Sequence, residues 1–160
     1  MVQRKAKAAV RGAEAPRRVI DLDLLPMLLG YNLRRAQVAV FGDFARAVGE
    51  PELTPGRFGV LTIIQANPGL NQTQLAQALG IDRSTVVSLV DRLESCGWVE
   101  RAPSLTDRRS YALRLSPAGE ALLAVLKRRV REHEARIARN LTPTEQRALI
   151  KLLRRISGDA

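Results

Sequence analysis

The 160 residues carry 26 Lys and Arg against 16 Asp and Glu, a net charge of +10, with 4% aromatic side chains. That charge makes a polyanion the natural partner, a single Cys excludes an intrachain disulfide, and one His with one Cys argues against a structural zinc site. With no apolar run near the roughly 18 residues of a membrane span and no signal-peptide pattern, the expectation is one cytoplasmic domain with no membrane partner and no cofactor.

The charge is unevenly placed. Residues 1–18 hold six basic side chains and one acidic, residues 127–155 ten basic and three acidic, but residues 71–115 only six Arg against five acids. The first stretch has no sustained apolar period and reads as a disordered basic arm, either a solubilising tail or one that touches phosphates. Residues 19–160 then read as a single domain. From about Leu24 to Val48 the spacing of Leu25, Leu29, Leu33, Ala36, Val40, Phe44 and Ala47 predicts a long helix, with Pro26 tolerated in its first turn. Asn32 and Asp43 lie at the edge of that stripe, where a polar group needs either a structural partner or a ligand. Thr54 is a cap and Pro55 a first residue for a second helix, in which Phe58, Leu61, Thr62 and Gln65 keep helical spacing until Asn67 and Pro68.

Residues 71–97, NQTQLAQALGIDRSTVVSLVDRLESCG, read as two short helices joined by a turn. Asn71 and Gln74 suit a capping box, Gly80 a left-handed stop, and Asp82 a cap whose charge favours the positive end of the next helix. Leu75, Leu79, Ile81 and Val86 are spaced to pack the helices on each other, with Ala76 allowing close approach. On the second helix Val86, Leu89, Val90, Leu93 and Gly97 share one side. Ser84, Thr85, Val87, Ser88, Asp91 and Arg92 share the other, a mixture of donors, acceptors and a methyl-bearing side chain that suits base edges in a major groove. An ordinary solvated helix is the alternative.

Trp98, Val99 and Arg101 then suggest one short strand, and Tyr111, Leu113 and Leu115, alternating with Ser110, Ala112 and Arg114, a second. Between them the polar loop APSLTDRR carries basic residues at its tip, as expected of a wing that inserts Arg into a minor groove. In the blocks STVVSLVDRLESCGWVER and TDRRSYALRLSPAG the chain resembles the MarR family of winged helix-turn-helix regulators. Asp107 and Arg109 match that family's Asp-x-Arg wing signature, and the similarity extends over about residues 24–157. After the wing, Ser116 and Pro117 start a helix reaching at least Ile137, with Leu122, Leu126, Val130, His133 and Ile137 on one face. Thr142, Pro143 and Glu145 form a capping box with proline for a last helix whose buried side is Leu149, Leu152, Leu153 and Ile156.

The expected fold is therefore mainly α with a small β-wing: a winged helix-turn-helix at about 53–116, flanked by helices at about 24–48 and 117–157. The flanking helices are too apolar on one face to stand alone, and the resemblance implies that those of two protomers interlock into a dimer. Leu126 and Leu153 are expected in that interface. Two readers on a two-fold axis imply a pseudo-palindromic operator with half-sites about 10 base pairs apart.

On this reading the protein is a ligand-responsive repressor and not an enzyme. Arg83, Ser84, Thr85, Ser88 and Arg92 would read or position the major groove, with Val87 able to touch a thymine methyl. Arg109, with Arg108 beside it, would enter the minor groove while Asp107 orients a nearby Arg. The resemblance further implies an aromatic acid, or its coenzyme A thioester, as effector. The basic excess over residues 127–155 suits a ligand with several phosphates, and Asn32, Asp43, Phe44 and His133 suit an apolar pocket with a few orienting groups. Alternatively the basic residues form a solvated face and His133 is a satisfied interface histidine. Two other readings remain beside this one: an architectural DNA-compacting protein, and a regulator sensing lipophilic phenols, drugs or oxidants. Redox sensing through Cys96 is disfavoured, because the family's sensor cysteines sit on the first helix, which has none here. An enzyme is disfavoured because the sequence offers no phosphate-cradling Gly loop, zinc spacing or nucleophile with a plausible base.

Overall fold

A computed structural model describes residues 20–103 and 111–158. Expectations for the arm at 1–18 and for the wing tip, including Asp107, Arg108 and Arg109, lie outside those residues.

The chain opens with a 3-10 turn at Leu25–Met27 and continues into helix α1 (Leu29–Val48). The long helix thus starts later than Leu24. Pro26 supplies no amide, the turn closes through Met27 N–H to Leu24 and Leu28 N–H to Leu25, and Leu28 turns extended before α1 begins. Helix α2 (Pro55–Ala66) starts as expected, the Thr54 hydroxyl accepting from the Arg57 amide with Pro55 at the first position. Helices α3 (Gln72–Leu79) and α4 (Arg83–Ser95) follow, then antiparallel strands β1 (Val99–Pro103) and β2 (Tyr111–Leu115), helix α5 (Pro117–Ile137) and helix α6 (Pro143–Ser157). The strands pair with Val99 opposite Leu115 and Pro103 opposite Tyr111. On its other edge Leu113 exchanges backbone hydrogen bonds with Gly69 and Leu70, at 3.1 and 2.9 Å, so the start of the helix-turn-helix is stitched to the wing.

The core gathers Val60, Leu61 and Ile64 of α2, Leu75 of α3, Val86, Val90 and Leu93 of α4, Val99, Leu113 and Leu115 of the strands, and Leu123 and Leu126 of α5. Helix α5 turns the expected face inward, with Leu123 added to it at the centre of the core. Gly119, Leu123, Leu126 and His133 are buried, while Leu122, Val130 and Ile137 are half-buried. Leu126 therefore belongs to the protomer's own core and not to an interface face. That orientation follows from the start of the helix: the Ser116 hydroxyl donates to Gly97 O at 2.5 Å and accepts from the Gly119 amide at 3.0 Å, and the Ser116 amide donates to Trp98 O. Those bonds press Gly119 onto the backbone of Trp98.

Much of the apolar stripe of α1 and all of α6 remain uncovered. Phe44 and Val48 are the buried residues of α1, while Leu25, Leu29, Val38 and Phe41 are exposed. Helix α6 is well formed, with its Thr142–Glu145 capping box in place, yet buries nothing: Leu149, Ile150, Leu152, Leu153 and Ile156 are 39 to 53% exposed. Burying such side chains is worth about 1.5–3 kcal/mol each, so this face is built for a second surface. No helix among the described residues is long and apolar enough to cross a membrane.

Candidate nucleic-acid interface

Helix α3 is capped at both ends as its sequence predicts. Asn71 Oδ1 accepts from the Gln74 amide and Gln74 Oε1 from the Asn71 amide, both at 2.9 Å, and Gly80 ends the helix at φ 64°. Ile81 then hydrogen-bonds back to Ala76 O, which turns the chain sharply into α4. Two details differ from expectation. Ile81 is 39% exposed, walling an open groove with Thr73, Gln77 and Thr85 instead of packing between the helices. Asp82 adopts the extended cap conformation but its carboxylate makes no cap hydrogen bond, so its contribution is charge at the dipole end.

With Val86, Val90 and Leu93 fully buried, the opposite side of α4 must face out, and Arg83, Ser84, Thr85, Ser88, Asp91 and Arg92 are exposed with Val87 half-buried. Ser88 donates to Ser84 O at 3.2 Å within the helix. Arg101 of β1 reaches both Asp91 and Glu94 of α4, locking the root of the wing to the helix it flanks, and Arg114 pairs across the strands with Glu100 at 2.8 Å. Arg92 lies on the outer face, and its guanidinium is held by Glu52 from the α1–α2 corner, Nε to Oε2 at 2.7 Å and Nη2 to Oε1. Arg57 joins the same carboxylate at 2.9 Å. The Arg92 hydrogen bond, with help from Arg57, holds the Glu52 carboxyl below its usual range, and Glu52 raises Arg92 in return. Of the four described Arg residues in 71–115, Arg83 alone has no carboxylate partner among the described residues. It stands at the first position of α4, where unpaired amides and the dipole also favour an anion. Glu52 was missed by sequence reasoning; its 40-residue separation from Arg92 leaves no local signal.

A helix-turn-helix with a polar outer face, buttressed by a two-stranded wing, matches known proteins closely. The model of the MarR family matches residues 52–110. A candidate transcriptional regulatory protein for the hcr operon of Thauera aromatica is 42% identical over 129 residues, 80% of this chain and 78% of its own. This chain belongs to the MarR family. Among solved structures, the transcriptional repressor CouR bound to a 23-mer DNA duplex aligns with a TM-score of 0.80 at 42% identity, over 88% of this chain and 99% of that one. CouR bound to p-coumaroyl-CoA aligns at 0.78 and 40% identity, over 87% and 98%. The fold is thus the winged helix of a MarR-family transcriptional regulator.

In this MarR chain the four residues expected to meet a ligand divide. Asn32 is exposed, and its amide donates to Pro26 O at 2.9 Å and Leu28 O at 2.8 Å, tying the opening turn to α1. Asp43, Phe44 and His133 do come together. Asp43 Oδ2 meets His133 Nδ1 at 2.7 Å and Arg136 at 2.9 Å, Oδ1 meets Arg46 at 3.3 Å, and Phe44 stands edge-on to the imidazole at 5.6 Å. His133 is only 2% exposed. The His133 hydrogen bond first, then Arg136, pushes the Asp43 carboxyl far below the ordinary range, so it is ionised and Nδ1 of His133 is the donor.

Two clefts flank this cluster. One, about 700 Å³ and mostly apolar, lies between α1 and α2 and is lined by Phe41, Phe44, Ala45, Pro51, Leu53 and Pro55 among others. The other, about 430 Å³, has Ala36, Ala39, Val40 and Ile137 beneath Arg46, Arg136 and Arg139. Members of the basic run with structural partners include Lys127 with Gln65, Arg129 with Val48 O, Arg136 with Asp43 and Arg147 with Thr144. Cys96 is half-buried at the end of α4.

Proposed function

We propose that this protein is a homodimeric transcriptional repressor that binds a pseudo-palindromic operator and leaves it when an aromatic acyl-CoA thioester, or the parent aromatic acid, binds the protein. The observation that carries this reading is the likeness, at 40–42% identity over nearly nine-tenths of the chain, to one repressor solved both on DNA and with p-coumaroyl-CoA. The site supports it. Thr85, Ser84, Ser88 and Val87 offer the groups that discriminate base pairs, Arg83 positions α4 on phosphate, and Arg109, with Asp107 to orient a nearby Arg, is assigned to the minor groove. The uncovered faces of α1 and α6 are assigned to the partner protomer.

For the effector, the apolar cleft at Phe41, Phe44 and Leu53 suits an aromatic ring, and the cationic rim at Arg46, Arg136 and Arg139 suits phosphates. Asp43 and His133 then orient the wall between the clefts, and Asn32 stays structural. Coupling requires the ligand to favour a dimer whose two α4 helices no longer match successive grooves, about 1.4 kcal/mol for each tenfold loss of operator affinity.

Titrating operator-bound protein with an aromatic acid, its thioester and free coenzyme A tests this. Release by the acid or the thioester, and not by free coenzyme A, is expected. Release only by lipophilic phenols or oxidants overturns the ligand class. Equal affinity for promoter and random DNA favours the architectural reading.

A further inference from the structure

Arg92 lies on the outer face of α4, and its guanidinium is engaged by Glu52. It follows Ser84 and Ser88 at four-residue intervals, so it continues the reading stripe of α4, and its side chain is 49% exposed. Yet two of its three guanidinium nitrogens are taken by the two oxygens of Glu52, a bidentate pairing that fixes direction as well as charge. Glu52 is itself fixed. Arg57 bonds both its carboxylate and its backbone carbonyl, the latter at 2.5 Å, and Glu52 is next to the buried Leu53. The carboxylate is therefore a rigid anchor, and Arg92 is the part that can leave.

We propose that Glu52 is a positioning residue that holds Arg92 off the DNA backbone and so limits the affinity of the reading face. Among the described residues of the reader Arg83 is the one Arg free of a carboxylate, so one released Arg changes the phosphate contacts of this face substantially. Glu52 thereby leaves recognition to the groups on α4 that touch bases, because a phosphate contact adds affinity for every sequence alike.

The inference rests on the DNA-binding reading above, and the test separates the two. The affinity of the full chain for a duplex from its own promoter, and for mixed-sequence duplex DNA, is measured against salt for wild type, Glu52→Gln, Arg92→Lys and the double variant Glu52→Gln/Arg92→Gln. Freeing one Arg in each protomer steepens the slope of log affinity against log salt by about 0.9 per protomer and tightens binding to both duplexes roughly eightfold per protomer at 0.1 M salt, so about 60-fold for the dimer. Glu52→Gln is expected to show this. Arg92→Lys, whose compact ammonium lacks the planar fork that fixes a guanidinium on a carboxylate, is expected to change in the same direction, and it decides the matter alone if Glu52→Gln does not fold. The double variant is expected to lose the gain. An unchanged slope in Glu52→Gln, or in Arg92→Lys where that variant decides alone, overturns the proposal, as does a gain that persists in the double variant and so comes from removing a negative charge. Wild-type protein that binds neither duplex overturns the functional reading instead.

Discussion

Asp43 Oδ2 lies 2.7 Å from His133 Nδ1, joining α1 to a buried imidazole on α5 across 90 residues of sequence. Because the folded-state carboxyl is held below the ordinary carboxylate value of 3.8, the stabilisation it supplies is fully present above that value and is lost as pH falls below it. Asp43→Asn should therefore melt below wild type at neutral pH, and the two melting temperatures should converge as the solution is acidified below about pH 4. A gap independent of pH would mean that the carboxylate charge is not what holds the two helices.

Among the described glycines, Gly119 makes the tightest approach, onto the backbone of Trp98. A side-chain carbon on Gly119 would stand 2.0 Å from Trp98 O, and that oxygen belongs to backbone that cannot swing aside. Gly119→Ala should cost roughly 3 kcal/mol, read as a fall of about 6–12 °C in the thermal midpoint. A shift within a degree would show that α5 can slide on β1.

The interface expectation now separates two leucines. Leu153 is 39% exposed on α6, so Leu153→Glu should leave a folded protomer that sediments as a monomer and binds the operator weakly. Leu126, 1% exposed, should behave differently: Leu126→Glu buries an unpaired charge and should abolish cooperative melting altogether. A wild-type chain that sediments as a monomer at micromolar concentration yet footprints a full palindrome would refute the dimer.

Reading and positioning should also separate. Thr85→Ala should change the preferred base at one position of the half-site by about 1–3 kcal/mol, measured by competition among operator variants. Ser88→Ala should do so less, since that hydroxyl already bonds Ser84 O. Arg109→Ala should weaken all sequences alike. Equal losses on operator and random DNA for every variant would remove the assignment of the reading face.

Local chemistry made most of the fold legible in advance. Caps and stops act within four residues, so Thr54–Pro55, Asn71–Gln74, Gly80, Ser116–Pro117 and Thr142–Glu145 set helix boundaries whatever surrounds them. Apolar spacing likewise turned Val86, Val90 and Leu93 inward and left Ser84, Thr85 and Ser88 outside, which was enough to mark a reading face. Tertiary structure alone decided which polar groups on those faces are already engaged. Arg92 is occupied by Glu52 and Asp43 by His133, over 40 and 90 residues respectively. It also decided the orientation of α5, which puts Leu123 in the core and Leu122 at its edge, because the contact of Gly119 with Trp98 sets the angle at which that helix leaves the wing. Periodicity gives a helix its apolar side only to within one residue's turn; the exact direction, and the distant charge that meets each exposed Arg, come from how the helices pack.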